Sequence, residues 1–140
     1  WTGLPEVGAR LEAWVLTPLR HGLPGQHLVY DWHRGRYSEW REVPMAPAIV
    51  VEGVGAGQRI VDPWATVRIW VETDPEVAFR RALDREGLPQ QQHLEQWVRS
   101  EAAHFAADQT RERADLIVDS SANPDHDRDT ELMLSRPPAW

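Results

Sequence analysis

The sequence contains no cysteine. Disulfide staples, thiolate metal sites and thiol redox chemistry are thereby excluded. Lysine is missing as well, and all 15 basic residues are arginine. A phosphate-binding loop of the G-x-x-x-x-G-K-[ST] type sets its lysine on the terminal phosphates, so no complete loop of that kind lies within these residues. No apolar run approaches the roughly 20 residues that cross a bilayer. The amino end lacks the basic, apolar and small-residue succession of a signal peptide. A cytoplasmic protein with no membrane partner is expected. Positive charge is also in deficit, the formal net charge being -7. Grooves that follow a nucleic-acid backbone neutralise many phosphates with basic side chains, so nucleic acid is not an expected partner, whereas a small anionic ligand is compatible. The chain opens on Trp1 rather than methionine, and a preceding segment is expected.

What is present is enough for a core: 140 residues, 41% of them hydrophobic, predict one α/β domain over residues 1–119, with a polar, proline-bearing tail over 120–140. Val7, Leu11, Trp14 and Val15 recur at helical spacing between Glu6 and about Arg20. The run His27 to Trp32, the turn-like His33-Arg34-Gly35-Arg36 and a second run through Tyr37, Trp40 and Val43 predict an aromatic β-hairpin. Pro44 and Pro47 precede Ala48-Ile49-Val50-Val51, a continuous apolar run suited to a strand buried on both faces. Val67 to Val71 is a second such run. Thr73-Asp74-Pro75-Glu76 carries the cap and early proline of a helix reaching about Glu86. Leu94, Trp97, Val98, Ala102, Phe105 and Ala106 mark one face of a longer helix, followed by the strand Leu116 to Asp119. A weak helical pattern occupies Glu131 to Leu134. Strands alternating with helices predict parallel pairing, with ligands outside the carboxyl ends of the strands, where Glu52, Glu72 and Asp119 would stand.

Gly53-Val54-Gly55-Ala56-Gly57 resembles a dinucleotide fingerprint, but Gln58 stands where the third glycine belongs, so a Rossmann cofactor is rejected. Glu52 ends the expected buried strand, where a carboxylate requires a cation, water or hydrogen-bond donors. A magnesium-bound water and a structural salt bridge both satisfy it. In the hairpin, alternation sets Tyr30 and Trp32 on one face and Asp31 and His33 on the other. Flat rings beside hydrogen-bonding groups suit a nucleobase and its sugar, and equally suit a lid over a core. Asp125, His126, Asp127 and Asp129 lie in the polar tail and receive no role.

The order Tyr30-Asp31-Trp32, Ile49-Val50-Val51-Glu52-Gly53, an arginine-bearing region and Ala114-Asp115-Leu116-Ile117-Val118 resembles the uridine kinase family of P-loop phosphotransferases over residues 1–120. The resemblance implies a three-layer, parallel-sheet P-loop kinase-like fold, incomplete at its amino terminus and carrying the aromatic hairpin. It implies ATP and Mg2+ as cofactors, and a nucleoside-like acceptor contacted by Tyr30, Asp31, Trp32, His33 and Trp40, with Glu52 near the metal. The P-loop and the acidic residue that acts on the nucleoside hydroxyl lie upstream in that family. The family's histidine three residues after the hairpin aromatic is replaced here by Gly35, so base preference departs from the family pattern.

Arg81 and Arg85 share a helix face through their four-residue spacing; a solvated face partly neutralised by Asp84 is one reading, and the resemblance to kinase lids implies the other, a phosphate clamp. The expected activity is transfer of the γ-phosphoryl group of ATP to a nucleoside-like hydroxyl by a longer parent, the 140 residues alone being inactive. A kinase of a nucleotide or another small metabolite, and a nucleotide-sensing or partner-binding module without catalysis, are the alternatives.

Overall fold

The helical spacing at the amino end produces a continuous helical stretch: a 3-10 turn at Leu4–Glu6, α1 (Val7–Leu11), a π-helical segment at Glu12–Leu16 and α2 (Thr17–Arg20). Leu4 and Val15 point from it into a small core. The computed structural model describes residues 3–31, 34–120, 127, 129–131 and 133–136. The chain is mixed α/β and divides into two compact units, Thr2–Ala65 and Thr66–Trp140.

In Thr2–Ala65, β1 (Gly25–Asp31) and β2 (Arg36–Val43) form the expected antiparallel hairpin. Leu28 pairs with Trp40 and Tyr30 with Tyr37, so two steps on β1 oppose three on β2. This β-bulge changes which side chains share a face. Leu28 and Tyr30, two apart, lie on one face, and the extra residue brings Tyr37 and Trp40 onto that face although they are three apart.

The expected strand Ala48–Val51 does not form. These residues are irregular and exposed, Val50 at 93%. A strand is completed by the ladder of a neighbour, and none of the described residues pairs with this run. Glu52 accordingly stands in an exposed loop rather than at a strand end.

The glycine-bearing loop that follows turns into a short 3-10 helix, Arg59–Val61. It packs closely on α1. A Cβ on Gly55 would fall 2.5 Å from Val7 Cγ1, and one on Gly8 would fall 2.3 Å from Gln58 Oε1. Gln58 is buried; its amide oxygen accepts the Gly8 N–H at 2.6 Å and its NH2 donates to the Leu4 carbonyl at 2.7 Å.

In Thr66–Trp140, β3 (Ile69–Glu72) leads into α3 (Pro75–Glu86). Asp74 caps that helix by accepting the N–H groups of Glu76 and Val77 at 2.9 and 3.1 Å. A 3-10 turn (Leu88–Gln90) precedes α4 (Gln91–Asp108), which leads to β4 (Leu116–Asp119), parallel to β3. Met133 and Leu134, which end the stretch expected to be weakly helical, instead open strand β5 (Met133–Arg136), antiparallel to β4, because a ladder partner outweighs a marginal helical period; residue 132 lies outside the described residues. The sheet is therefore mixed, in the order β3-β4-β5. Position in that order decides burial. Ile117, on the central strand, is 2% exposed, whereas Ile69 and Val71, on the outer strand, are 57% and 59% exposed. The opposite face of β3 is covered, Trp70 meeting Phe105 of α4 edge-on with ring centroids 4.6 Å apart. The expectation that this run is buried on both faces thus holds for one face only.

Arginine–carboxylate pairs join the elements of this unit. Arg68 donates its backbone N–H and its guanidinium to Asp115 at 2.7 to 3.2 Å, tying the approach to β3 to the approach to β4. The Arg68 guanidinium and N–H hold the Asp115 carboxyl below the usual carboxylate range. Beyond α4, Arg113 pairs with Asp108, which also accepts the Thr110 hydroxyl at 2.8 Å. Among the described residues no helix is long and apolar enough to cross a membrane.

Candidate functional site

The hairpin and the strand ends of the second unit each gather residues with chemistry to offer. On the hairpin, Tyr30 meets Tyr37 edge-on at 5.3 Å between ring centroids, and Trp40 meets Trp14 edge-on at 5.0 Å. Arg10 lies in the same cluster. Its guanidinium pairs with Glu6, donates to the Tyr37 hydroxyl and stands 5.2 Å from the Tyr37 ring and 5.8 Å from the Trp14 ring. The four-residue spacing of Arg10 and Trp14 aims both at the hairpin. Tyr30, Tyr37 and Trp40 keep an exposed part each. A shallow depression of about 380 Å³ lies against Trp40, lined also by Pro24, Gly25, Gln26, Arg41 and Glu42.

Asp31 ends β1, accepts the Arg34 N–H at 3.0 Å and lies 3.6 Å from the Arg34 guanidinium. Its carboxylate thus ties the end of β1 to Arg34, just ahead of β2. Trp32 and His33 lie outside the described residues. The register therefore brings Tyr30 and Trp40 onto one hairpin face, and sets Asp31 at the tip. Glu52 belongs to the same unit. Among the described residues no three histidines or carboxylates converge on a point that could hold a metal ion.

Arg81 and Arg85 belong to the other unit, and their side chains part. Arg81 turns back to the Ser120 carbonyl just past β4, at 3.4 and 3.5 Å from its two terminal nitrogens. Arg85 pairs with its neighbour Glu86 at 2.8 Å. Parallel pairing sets Glu72-Thr73 beside Asp119-Ser120, the Ser120 N–H donating to the Glu72 carbonyl at 2.8 Å and the two hydroxyls of Thr73 and Ser120 meeting. Arg111 completes this cluster. It donates Nε and Nη2 to the two carboxylate oxygens of Glu72 at 2.8 Å each. The Arg111 hydrogen bond holds the Glu72 carboxyl below its ordinary range, while the nearby Asp119 charge opposes that shift.

Sequence reasoning missed Arg10 and Arg111. The Glu6-Arg10 spacing of four on a predicted helix was a usable signal for the first. Arg111 meets a partner 39 residues away, and only its position just ahead of a strand marked it. No family model matches the chain, and no curated protein matches it.

Proposed function

We propose that this chain is the acceptor-binding and lid-bearing part of a phosphotransferase similar to the uridine kinases. Its parent moves the γ-phosphoryl group of ATP, in the presence of Mg2+, to a hydroxyl of a nucleoside-like small molecule. The observation that carries the reading is the parallel β3–β4 pair joined through α3 and α4, with Arg81 turned back toward the strand ends where such sheets collect ligands. A three-layer P-loop kinase-like sheet is the finer form of this mixed α/β arrangement. The 140 residues contain no lysine, so the lysine-bearing phosphate loop belongs to a longer polypeptide and the chain alone is inactive.

Each residue then has a task. Tyr30 and Trp40, with Trp32 and His33 between the strands in sequence, contact base and sugar, and Asp31 fixes the tip that presents them. Among the described residues Arg81 makes only long bonds to a carbonyl, and its donors fit the charge that develops on a transferred phosphoryl group. Glu52 is a single exposed carboxylate, which fits a bond to a water of an Mg2+ shell rather than a protein cage. Bound ATP and Mg2+ supply the phosphoryl group and the charge neutralisation. Arg85, paired with Glu86, assists at most through field rather than contact.

The packing of Trp40 on Trp14 favours a second reading, in which the hairpin is a rigid binding module without catalysis. Kinetics of the full-length protein separate the two. Under the kinase reading Arg81→Ala lowers kcat by about two orders of magnitude or more with an unchanged Tm, and Trp40→Ala raises the acceptor KM. Absence of phosphoryl transfer to any nucleoside or nucleotide by the full-length protein would leave the binding module.

A further inference from the structure

The fork of Arg111 is filled by a carboxylate in a geometry that other oxyanions share. Two parallel N–H···O bonds at 2.8 Å to two oxygens of one group are what a guanidinium also makes with a phosphate. Burial does not lock this pair. The two side chains are 44% and 37% exposed, and ion pairs so exposed contribute about 0–1 kcal/mol. A more highly charged phosphate chain therefore displaces the carboxylate at small cost.

Other hydrogen-bonding groups lie at the same strand ends. The hydroxyls of Thr73 and Ser120 meet at the ends of β3 and β4, and the guanidinium of Arg81 reaches the Ser120 carbonyl from α3. We propose that Arg111 is a phosphate-binding residue whose fork is held by Glu72 until the phosphate chain of a ligand displaces that carboxylate. Glu72 is then a competitor within the chain rather than a brace, and the ligand is a phosphate-bearing small molecule, with a nucleoside triphosphate as the relevant case. The biological meaning rests on the phosphotransfer reading, but the binding itself requires no catalysis.

The 140-residue chain is titrated with inorganic tripolyphosphate and, separately, with ATP. Binding is read by calorimetry and by the arginine Nε–Hε signals in NMR. In the unmutated chain the Arg111 signal should move on addition of tripolyphosphate. Arg111→Gln should weaken binding by about tenfold or more, and Glu72→Gln should strengthen it by about threefold or more. Arg99→Gln, at an exposed position of α4, should change nothing. Tighter binding of ATP than of tripolyphosphate would identify the ligand as a nucleotide, and equal binding would identify the phosphate chain as the whole determinant. The proposal is overturned if neither probe binds, if the Arg111 signal stays still, or if Glu72→Gln weakens binding as Arg111→Gln does. Tripolyphosphate binding through Arg111, together with a full-length protein that phosphorylates no nucleoside, would retain this proposal and remove the kinase reading. Nucleoside phosphorylation with binding indifferent to Arg111 would do the reverse.

Discussion

In Thr2–Ala65 the tightest junction is a backbone glycine against a buried amide, whereas in Thr66–Trp140 the strands and helices are joined by arginine–carboxylate pairs. The first kind of junction depends on shape and on hydrogen bonds removed from water. The second depends on ionisation. The two units should therefore respond to different perturbations, one to added volume and the other to pH.

The largest effect is expected at the glycine junction. Gly8→Val should destabilise Thr2–Ala65 by about 3 kcal/mol, since even one Cβ meets Gln58 Oε1 at 2.3 Å and the amide must swing away from two buried bonds. Hydrogen exchange resolved by residue checks it; equal loss of protection in both units would erase the contrast. Gln58→Leu should cost about 2 kcal/mol in the same unit, because the Gly8 N–H and Leu4 carbonyl are left without their amide partner.

Acid should act on the other unit. Asp115 and Glu72 have folded-state pKa values below their ordinary ones, because their carboxylates accept hydrogen bonds from Arg68 and Arg111. Each contributes stability that is fully present above the unfolded-state value, about 4, and that is lost as pH falls through the lower folded-state value. Protection of Thr66–Trp140 should thus decline below pH 4, and Asp115→Asn should flatten the decline. A smaller effect of opposite sign is expected at Glu101, whose carboxyl is pushed up by burial. The ionised form is the disfavoured one there, so the penalty is present above the ordinary value and absent below it. Glu101→Gln should raise the Tm slightly at pH 7 and leave it unchanged at pH 3.

What the sequence made legible was what depends on near neighbours. The Asp74-Pro75 start of α3, the hairpin around Tyr30 and Trp40, and the two helices flanking Gly87 are all specified within a few residues. Ala48–Val51 has the composition of a strand, yet a strand requires a second one alongside, which composition does not report. The bulge that brings Tyr37 and Trp40 together is likewise invisible to strict alternation. Gln58 stands out in the sequence only for not being glycine, although its amide is what joins the loop to the first helix. Arg81 and Arg85 share a helix face by count, but longer-range partners at Ser120 and a sequence neighbour at Glu86 draw them apart.

The π-helical segment at Glu12–Leu16 makes the first helix sensitive to its length in a particular way. Arg10 lies ahead of it and faces the Tyr37 ring, while Arg20 lies beyond it with its guanidinium 5.2 Å from the Trp64 ring. A π turn carries one residue more than an α turn, and each α-helical residue turns the helix by about 100°. Deleting Ala13 would let the backbone relax into an uninterrupted α-helix with better bonds of its own. The wide turn is what absorbs the extra residue, so the two halves would keep their relative rotation and both arginines could keep their aromatic partners. A one-residue insertion or deletion in the α-helical stretches on either side, which no wide turn absorbs, would instead turn Arg10 and Arg20 apart by about 100° and leave only one of the two stacks.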